Sequence, residues 1–404
     1  MHAYNYAALS IPLFFVFVYL ETIFLKRSKK KDAYRFESAI SNLSIGITER
    51  YIHLFVGIGF YQFFVWVYSH FALFTIATTW YTWIALLLAA DFTWYWYHRL
   101  GHQINLFWAA HIVHHQSEDF NFTAAARITT FQAFIRYGFW GLLPFIGFHP
   151  DMVVSILLIH GVYSFFTHTE SIGKLPWLEH IFITPSLHGV HHASNEKYLD
   201  KNYGDVFVFW DKLFGTFQKE EEKPVYGLTH PLKSYSFLWQ HFHYYLELFE
   251  AFRRGTHFKE KWNALFGSPA QMDQNIRPFL EKKFMQHKDT KRFNESSIFR
   301  NYLSFQLATC VLILTGATFA FDLLSGLQKL FFGSFLLITL INCGALLEQR
   351  KWIYTLEIIR AHLLTISLTV YFDVPYVLPY ILLLLIIVPY VTGAKERYHK
   401  LMLS

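Results

Sequence analysis

Long apolar runs separated by short polar stretches organise this chain. Residues 7–25, "AALSIPLFFVFVYLETIFL", form the first run, and about 20 apolar residues suffice to cross a bilayer. It lacks a basic leading segment and a small-residue cleavage site, so it reads as an anchor rather than a removable signal. Further apolar runs fall at 40–68, 75–98, 128–146, 150–168, 301–321, 326–347, 352–372 and 375–393. The pair 128–146 and 150–168, joined at "FHPD", predicts a hairpin of two spans. Glu357, Arg360 and His362 make 352–372 the least apolar of the later runs. Basic clusters flank the spans at 26–35, 348–351 and 394–400, which by the positive-inside rule places them on the cytoplasmic side. The polar stretch 171–295 falls on that same side.

The pattern predicts an all-α fold, a polytopic transmembrane helical bundle. Its parts are N-terminal transmembrane helices (1–74), a histidine-rich core (75–231), a cytoplasmic helical segment (232–295) and C-terminal transmembrane helices (296–404). Composition agrees: 53% of the 404 residues are hydrophobic and 16% charged, against about 25% charged in soluble domains. The net charge of +6 belongs to the flanks of the apolar runs, so it argues for a membrane and against nucleic acid. The two cysteines, Cys310 and Cys343, lie inside apolar runs, which argues against a disulfide framework and a thiolate metal site.

Histidine changes the picture from scaffold to chemistry. "HRLGH" supplies His98 and His102, "HIVHH" supplies His111, His114 and His115, and "HGVHH" supplies His188, His191 and His192. Residues three and four apart share a helix face, so all three rings of each triplet are expected to point the same way. Neutral imidazole suits iron, zinc and copper, and eight rings on three faces are enough for two metal ions. His168, level with these groups at the end of its run, is a candidate ninth ligand, whereas the deeper His160 reads as a buried polar contact.

Metal-bound histidines usually donate their other N–H to a carboxylate or carbonyl. Asp91, seven residues before His98, is the first candidate partner, followed by Glu118, Asp119, Glu170, Asp200 and Asp205. A carboxylate inside an apolar span is costly and usually has a partner. "TPSLHGVHH" reads as a short surface helix, with Thr184 as cap and Pro185 in its first position. The aromatic stretch 202–217 is expected to pack at the bilayer interface and close the site, or alternatively to join the core.

These stretches together resemble the fatty acid hydroxylase/sterol desaturase superfamily, closest to its alkylglycerol monooxygenase-like branch. The residues that carry the likeness are "DFTWYWYHRLGH" (91–102), "LFWAAHIVHHQSEDFNFTAAAR" (106–127), "FTHTE" (166–170), "TPSLHGVHHASN" (184–195), "DKNYGDVFVFWDKLFGTF" (200–217) and "YGLTHP" (226–231). The resemblance implies two nonheme iron ions, molecular oxygen and hydroxylation of an aliphatic lipid carbon, with an alkylglycerol ether lipid as a substrate of that branch. It implies the eight motif histidines as ligands. Zinc can take the same rings in a purified sample, and tetrahydrobiopterin serves as reductant in the branch. Gln103 stands where that pattern has an acidic residue after the second histidine.

Breaking an unactivated C–H bond is beyond side-chain acid–base chemistry, so a metal must carry it. No haem segment, cysteine cluster or "GxGxxG" loop is present, so electrons are expected from a separate reductase or a reduced pterin. The alternatives are a desaturase of the same superfamily, a zinc hydrolase and a histidine-rich metal transporter. Transporters place ligands near the bilayer midplane; here they cluster at helix ends, which favours an enzyme. The expected site faces the cytoplasm, capped by cytoplasmic helices. The surrounding membrane would be the inner membrane of a bacterium or the endoplasmic reticulum of a eukaryote.

Overall fold

The computed structural model describes residues 3–28, 33–284, 295–372, 374 and 378–403. Lys29–Asp32 of the first basic cluster and parts of the last apolar run lie outside the described residues. Every named element is helical, and the described residues otherwise hold two isolated bridges, Phe182 with Phe207 and Ala193 with Tyr226.

The chain opens with α1 (Ala3–Arg27) and α2 (Phe36–Phe71), then α3 (Trp80–Gln103) and α4 (Asn105–His115). Thr79 starts α3 through a reciprocal cap with Thr82. Ile104 alone separates α3 from α4, and its extended backbone turns the chain so that α4 packs back on α3. Next come α5 (Phe122–Ala125), α6 (Thr130–Trp140), α7 (Leu142–Ile146) and α8 (Pro150–Thr167).

The run 128–146, predicted as one span, is divided between two short helices, α6 and α7. The two join at Gly141, whose backbone stays right-handed helical, and the end of α7 bonds the segment that follows α2. Leu73 N–H donates to the Phe145 carbonyl at 2.8 Å and Ile76 N–H to the Gly147 carbonyl at 3.2 Å. Gly147 has φ +126°, and a Cβ there would stand 2.1 Å from the Phe74 oxygen. Only glycine fits this corner.

The chain continues with α9 (Pro185–His191), α10 (Phe209–Leu213), α11 (Phe237–Arg254), α12 (Phe258–Phe266) and α13 (Ile276–Phe284). It ends with α14 (Ser297–Phe319), α15 (Gly326–Leu347), α16 (Ile353–Tyr371), α17 (Leu378–Val391) and α18 (Ala394–Met402). Five helices, α1, α2, α8, α14 and α15, are long and apolar enough to cross a membrane, which makes this a multi-pass membrane protein. Of the other expected spans, α3 carries Asp91, Arg99 and its histidines, and α17 has 14 residues, about 21 Å at 1.5 Å each.

Two apolar cores flank α2. One joins it to α1, α14 and α15 around Leu303, Cys310, Leu340 and Cys343. The other joins it to α3, α6 and α8 around Leu86, Trp140 and Val153. The polar residues of α16 are satisfied rather than exposed: Glu357 accepts from Tyr302 Oη (2.5 Å), Asn342 Nδ2 (2.6 Å) and Tyr398 Oη (2.8 Å), and pairs with Arg360. That network binds α14, α15, α16 and α18 together and leaves the other half of the molecule to hold the histidines.

Candidate metal centre

Nine imidazoles converge where the ends of α3, α4, α8 and α9 meet. They form two groups. His98, His102, His111, His115 and His191 make the first; His114, His168, His188 and His192 make the second. Within each group, the candidate ligand nitrogens all lie within 4.8 Å of one another. All eight motif histidines are brought together, and His168, at the C-terminal end of α8, joins them.

The triplets do not behave as expected. On α4, His111 and His115 serve the first group while His114 turns to the second. On α9 the assignment reverses: His188 and His192 serve the second group and His191 crosses to the first. At 100° per residue, an i+3 neighbour lies ~60° to one side and an i+4 neighbour ~40° to the other. The middle ring of each "HxxHH" therefore diverges from the outer two by enough to reach a different ion.

Short contacts define the groups. His111 Nε2 lies 3.1 Å from His98 Nε2 and 3.0 Å from His115 Nε2. In the second group, the Nε2 atoms of His168 and His114 are 3.1 Å apart, those of His188 and His168 3.0 Å, and those of His192 and His188 3.1 Å. Nitrogens held about 2.1 Å from one ion are separated by ~3.0 Å when they subtend a right angle, and by ~3.4 Å in a tetrahedron. The observed edges match the right angle.

Backbone carbonyls fix the rings. The Nδ1–H groups of His98, His114, His168 and His191 donate to the carbonyls of Tyr203 (2.9 Å), Arg127 (3.2 Å), Ser164 (2.6 Å) and Lys201 (2.9 Å). A neutral imidazole that donates from Nδ1 carries a lone pair on Nε2. His114 and His168 thus present two lone pairs to each other across 3.1 Å, an arrangement that is repulsive without a cation. His102 Nε2 and His191 Nε2 are buried with no hydrogen-bond partner among the described residues. Burial, which disfavours the charged ring, and repulsion from neighbouring imidazoles hold His111, His114, His115, His188, His191 and His192 well below the ordinary imidazole pKa. Neutral, deprotonated nitrogens aimed at common points are what a divalent metal requires.

The carboxylates are not where the spacing put them. Asp91 does not partner His98; it accepts from Val206 N–H (2.9 Å), Phe207 N–H (3.1 Å) and Trp210 Nε1–H (2.9 Å). Glu118 and Asp119 both bond Arg35, and Asp200 accepts from Tyr203 Oη at 3.0 Å. Glu170 hydrogen-bonds Tyr226, whose ring stacks on Phe120 beside His192. Asp205 bonds His160 at 2.6 Å, so His160 is the buried contact that its depth predicted. Asp91 and Asp205 approach each other around His160 closely enough to form a third, smaller acidic group.

The acidic residues act one step further out. Asp91 pins loop 206–210 to α3, and Asp211 accepts from Tyr203 N–H and Gly204 N–H, each at 2.8 Å. Asp200 and Asn202 adopt left-handed backbone, φ +58° and +54°, which turns the Lys201 carbonyl toward His191. Asn and Asp tolerate that conformation better than most residues. The stretch 202–217 divides between core and surface: Tyr203, Val206, Val208 and Asp211 are buried, while Phe209 and Leu213 stay exposed.

Two positioning residues escaped the sequence reading. Arg127 is buried and reaches Val113, Asn42, Ser41, Gln116 and Gln240, tying α2, α4 and α11 to the carbonyl that orients His114. Thr184 was legible as a cap, and its hydroxyl does accept from Leu187 N–H at 3.4 Å. Asp211, the other, carries no metal-ligand spacing that would distinguish it from a surface acid. Gln103 ends α3 with its side chain exposed.

Comparison with known proteins places this arrangement among others. A model of the fatty acid hydroxylase family matches residues 83–216. The alkylglycerol monooxygenase of Homo sapiens is 32% identical over 363 residues, 88% of this chain and 81% of that protein. The Xenopus tropicalis alkylglycerol monooxygenase is 30% identical over 385 residues, 92% and 84% of the two chains. Similarity to the cholesterol 25-hydroxylase of Homo sapiens is confined to 136 residues at 27% identity, 32% of this chain and 48% of that one. No solved structure matches.

Proposed function

Because the chain belongs to the fatty acid hydroxylase superfamily and to its alkylglycerol monooxygenase branch, we propose that it is a di-iron enzyme that uses molecular oxygen to hydroxylate an alkyl carbon of an alkylglycerol ether lipid. Membership makes it an oxidoreductase, a lipid hydroxylase of the monooxygenase type. The metal, the oxidant and the particular lipid are our reading.

The carrying observation is the His114–His168 pair, two neutral nitrogens facing each other at 3.1 Å with their protons committed to carbonyls. A cation between them resolves the repulsion. On this reading one iron is held by His98, His102, His111, His115 and His191, and the other by His114, His168, His188 and His192. Iron so bound supplies the oxygen chemistry needed to attack an unactivated C–H bond.

The chain's own residues prepare that chemistry. The carbonyls of Tyr203, Lys201, Arg127 and Ser164 hold the anchored rings in one tautomer and orientation. Burial keeps bulk water from the rings and keeps them unprotonated. Asp91, Glu118 and Glu170 are assigned supporting roles here: Asp91 and Glu170 hold the loops at 206–210 and around Tyr226, and Glu118 holds Arg35. The site faces the cytoplasm on this reading, and electrons arrive from a separate reductase or from reduced tetrahydrobiopterin.

The test is purification in lipid nanodiscs with metal analysis and single-turnover assays on an alkylglycerol. We expect about two irons per chain, and lipid-dependent oxygen uptake with either donor. One metal per chain, or zinc alone in a fully active sample, would overturn the assignment.

A further inference from the structure

Helix α11 is inside out. Its buried face carries Gln240, His241, His243, Glu247 and Glu250 along with Trp239, Tyr244 and Leu248. Its open face carries Leu238, Phe242, Tyr245, Phe249 and Phe252, a stripe at helical spacing along its length. Phe249 is 65% exposed. A helix bathed in water shows the opposite arrangement, with its apolar stripe turned to the core.

Helix α12 repeats the pattern. Phe258, Trp262 and Phe266 fall one turn apart on one side, with Phe258 80% and Trp262 52% exposed. Arg253 and Arg254 end α11, Lys259 and Lys261 lie in α12, and the Lys261 ammonium stands 5.5 Å over the Phe252 ring. Aromatic rings bordered by cations suit the boundary between acyl chains and phosphates.

The stripe also connects with a spanning helix. Phe60 of the spanning helix α2 meets Phe134 of α6 at 5.4 Å, and Phe131 of α6 meets Phe242 and Tyr245 of α11 at 6.0 and 5.1 Å. An exposed apolar patch that runs on from a spanning helix is suited to continued contact with lipid.

We infer that α11 and α12 lie in the plane of the membrane, their aromatic stripes in the acyl–headgroup boundary and their basic residues among lipid phosphates. The pair α11 and α12 is then a lipid-bound collar rather than a free cytoplasmic cap. It bears directly on the histidine site. Asn105, the first residue of α4, receives Tyr244 Oη at 2.7 Å and donates its N–H to the Gly267 carbonyl at 2.9 Å. The bilayer surface is thereby fixed relative to the helix that carries His111, His114 and His115. This placement stands apart from the identity of the metal or substrate.

Nitroxide labels on Phe249→Cys and Trp262→Cys test it in the full chain reconstituted in nanodiscs of phosphatidylcholine and phosphatidylserine. Cys310 and Cys343 are buried, and a label on Lys219→Cys, on the exposed 219–223 stretch, serves as the aqueous control. We expect both aromatic positions to be relaxed several-fold more by oxygen than by a water-soluble nickel chelate, and the control to show the reverse. Relaxation by the chelate at both positions, as at Lys219, would overturn the inference. So would spectral broadening that disappears on dilution with unlabelled chain, which would assign the stripe to a second copy. Protection that appears only after a soluble protein is added would likewise sink it.

Discussion

His188 and His111 occupy equivalent places in the two histidine groups, each bridging two ring neighbours at 3.0–3.1 Å. On the proposed assignment, His188→Ala removes a ligand from the four-ring group and none from the five-ring group. The variant should retain about one iron per chain and lose more than the roughly 10–100-fold in activity that removal of an outer partner costs. Metal analysis beside turnover checks this, and two irons with full activity would refute it. Acidification should act through the same rings. Their pKa values are depressed in the folded chain, so the unfolded chain takes up protons first as pH falls below about 6.5. Stability and metal loading should therefore be intact at neutral pH and decline steadily below that value, as thermal melts at a series of pH values would record. A flat profile down to pH 5 would contradict the buried, neutral state of these histidines.

Helices α4 and α9 show how far spacing can be read. The cap at Thr184, the proline at the first position and the ring positions were all legible, because each depends on neighbours within one turn. The exchange of His114 and His191 between groups was not, although its cause, the angular gap between i+3 and i+4, is in the sequence. Which ion a ring serves depends on where the other helix stands. The supporting acceptors were missed for a plainer reason: every residue has a carbonyl, so Tyr203, Lys201, Arg127 and Ser164 leave no mark in that role. The division of 128–146 into two helices was hidden by its apolar character. Gly147 closes the corner after α7, and Gly147→Ala should lower thermal stability by more than the about 1–2 kcal/mol of left-handed strain, since the new carbon also strikes the Phe74 carbonyl. An unchanged melting temperature in detergent would show that the corner relaxes freely.

The molecule as a whole divides its labour across α2. The helices around Leu303 and Cys343 form an apolar core with no histidine ligand, and the Glu357 network closes it. The opposite half gathers nine imidazoles that repel one another when the site is empty of cations. Chelation should therefore loosen α3, α4 and α9 while leaving α14 and α15 untouched, because a ligand stabilises only the structure that binds it. Amide hydrogen exchange of the stripped and reloaded protein resolves the two halves. Equal loosening of both would mean that the halves are one cooperative unit.

Eight of the nine histidines are buried and His102 alone is half-buried, its Nε2 turned inward. Exchange with the surroundings should begin beside this least buried residue, in the five-ring group. Isotopic iron should swap there first, the four-ring partner lagging behind, and a bulky substituent at Gln103, the neighbouring exposed residue, should slow the swap without changing the final occupancy.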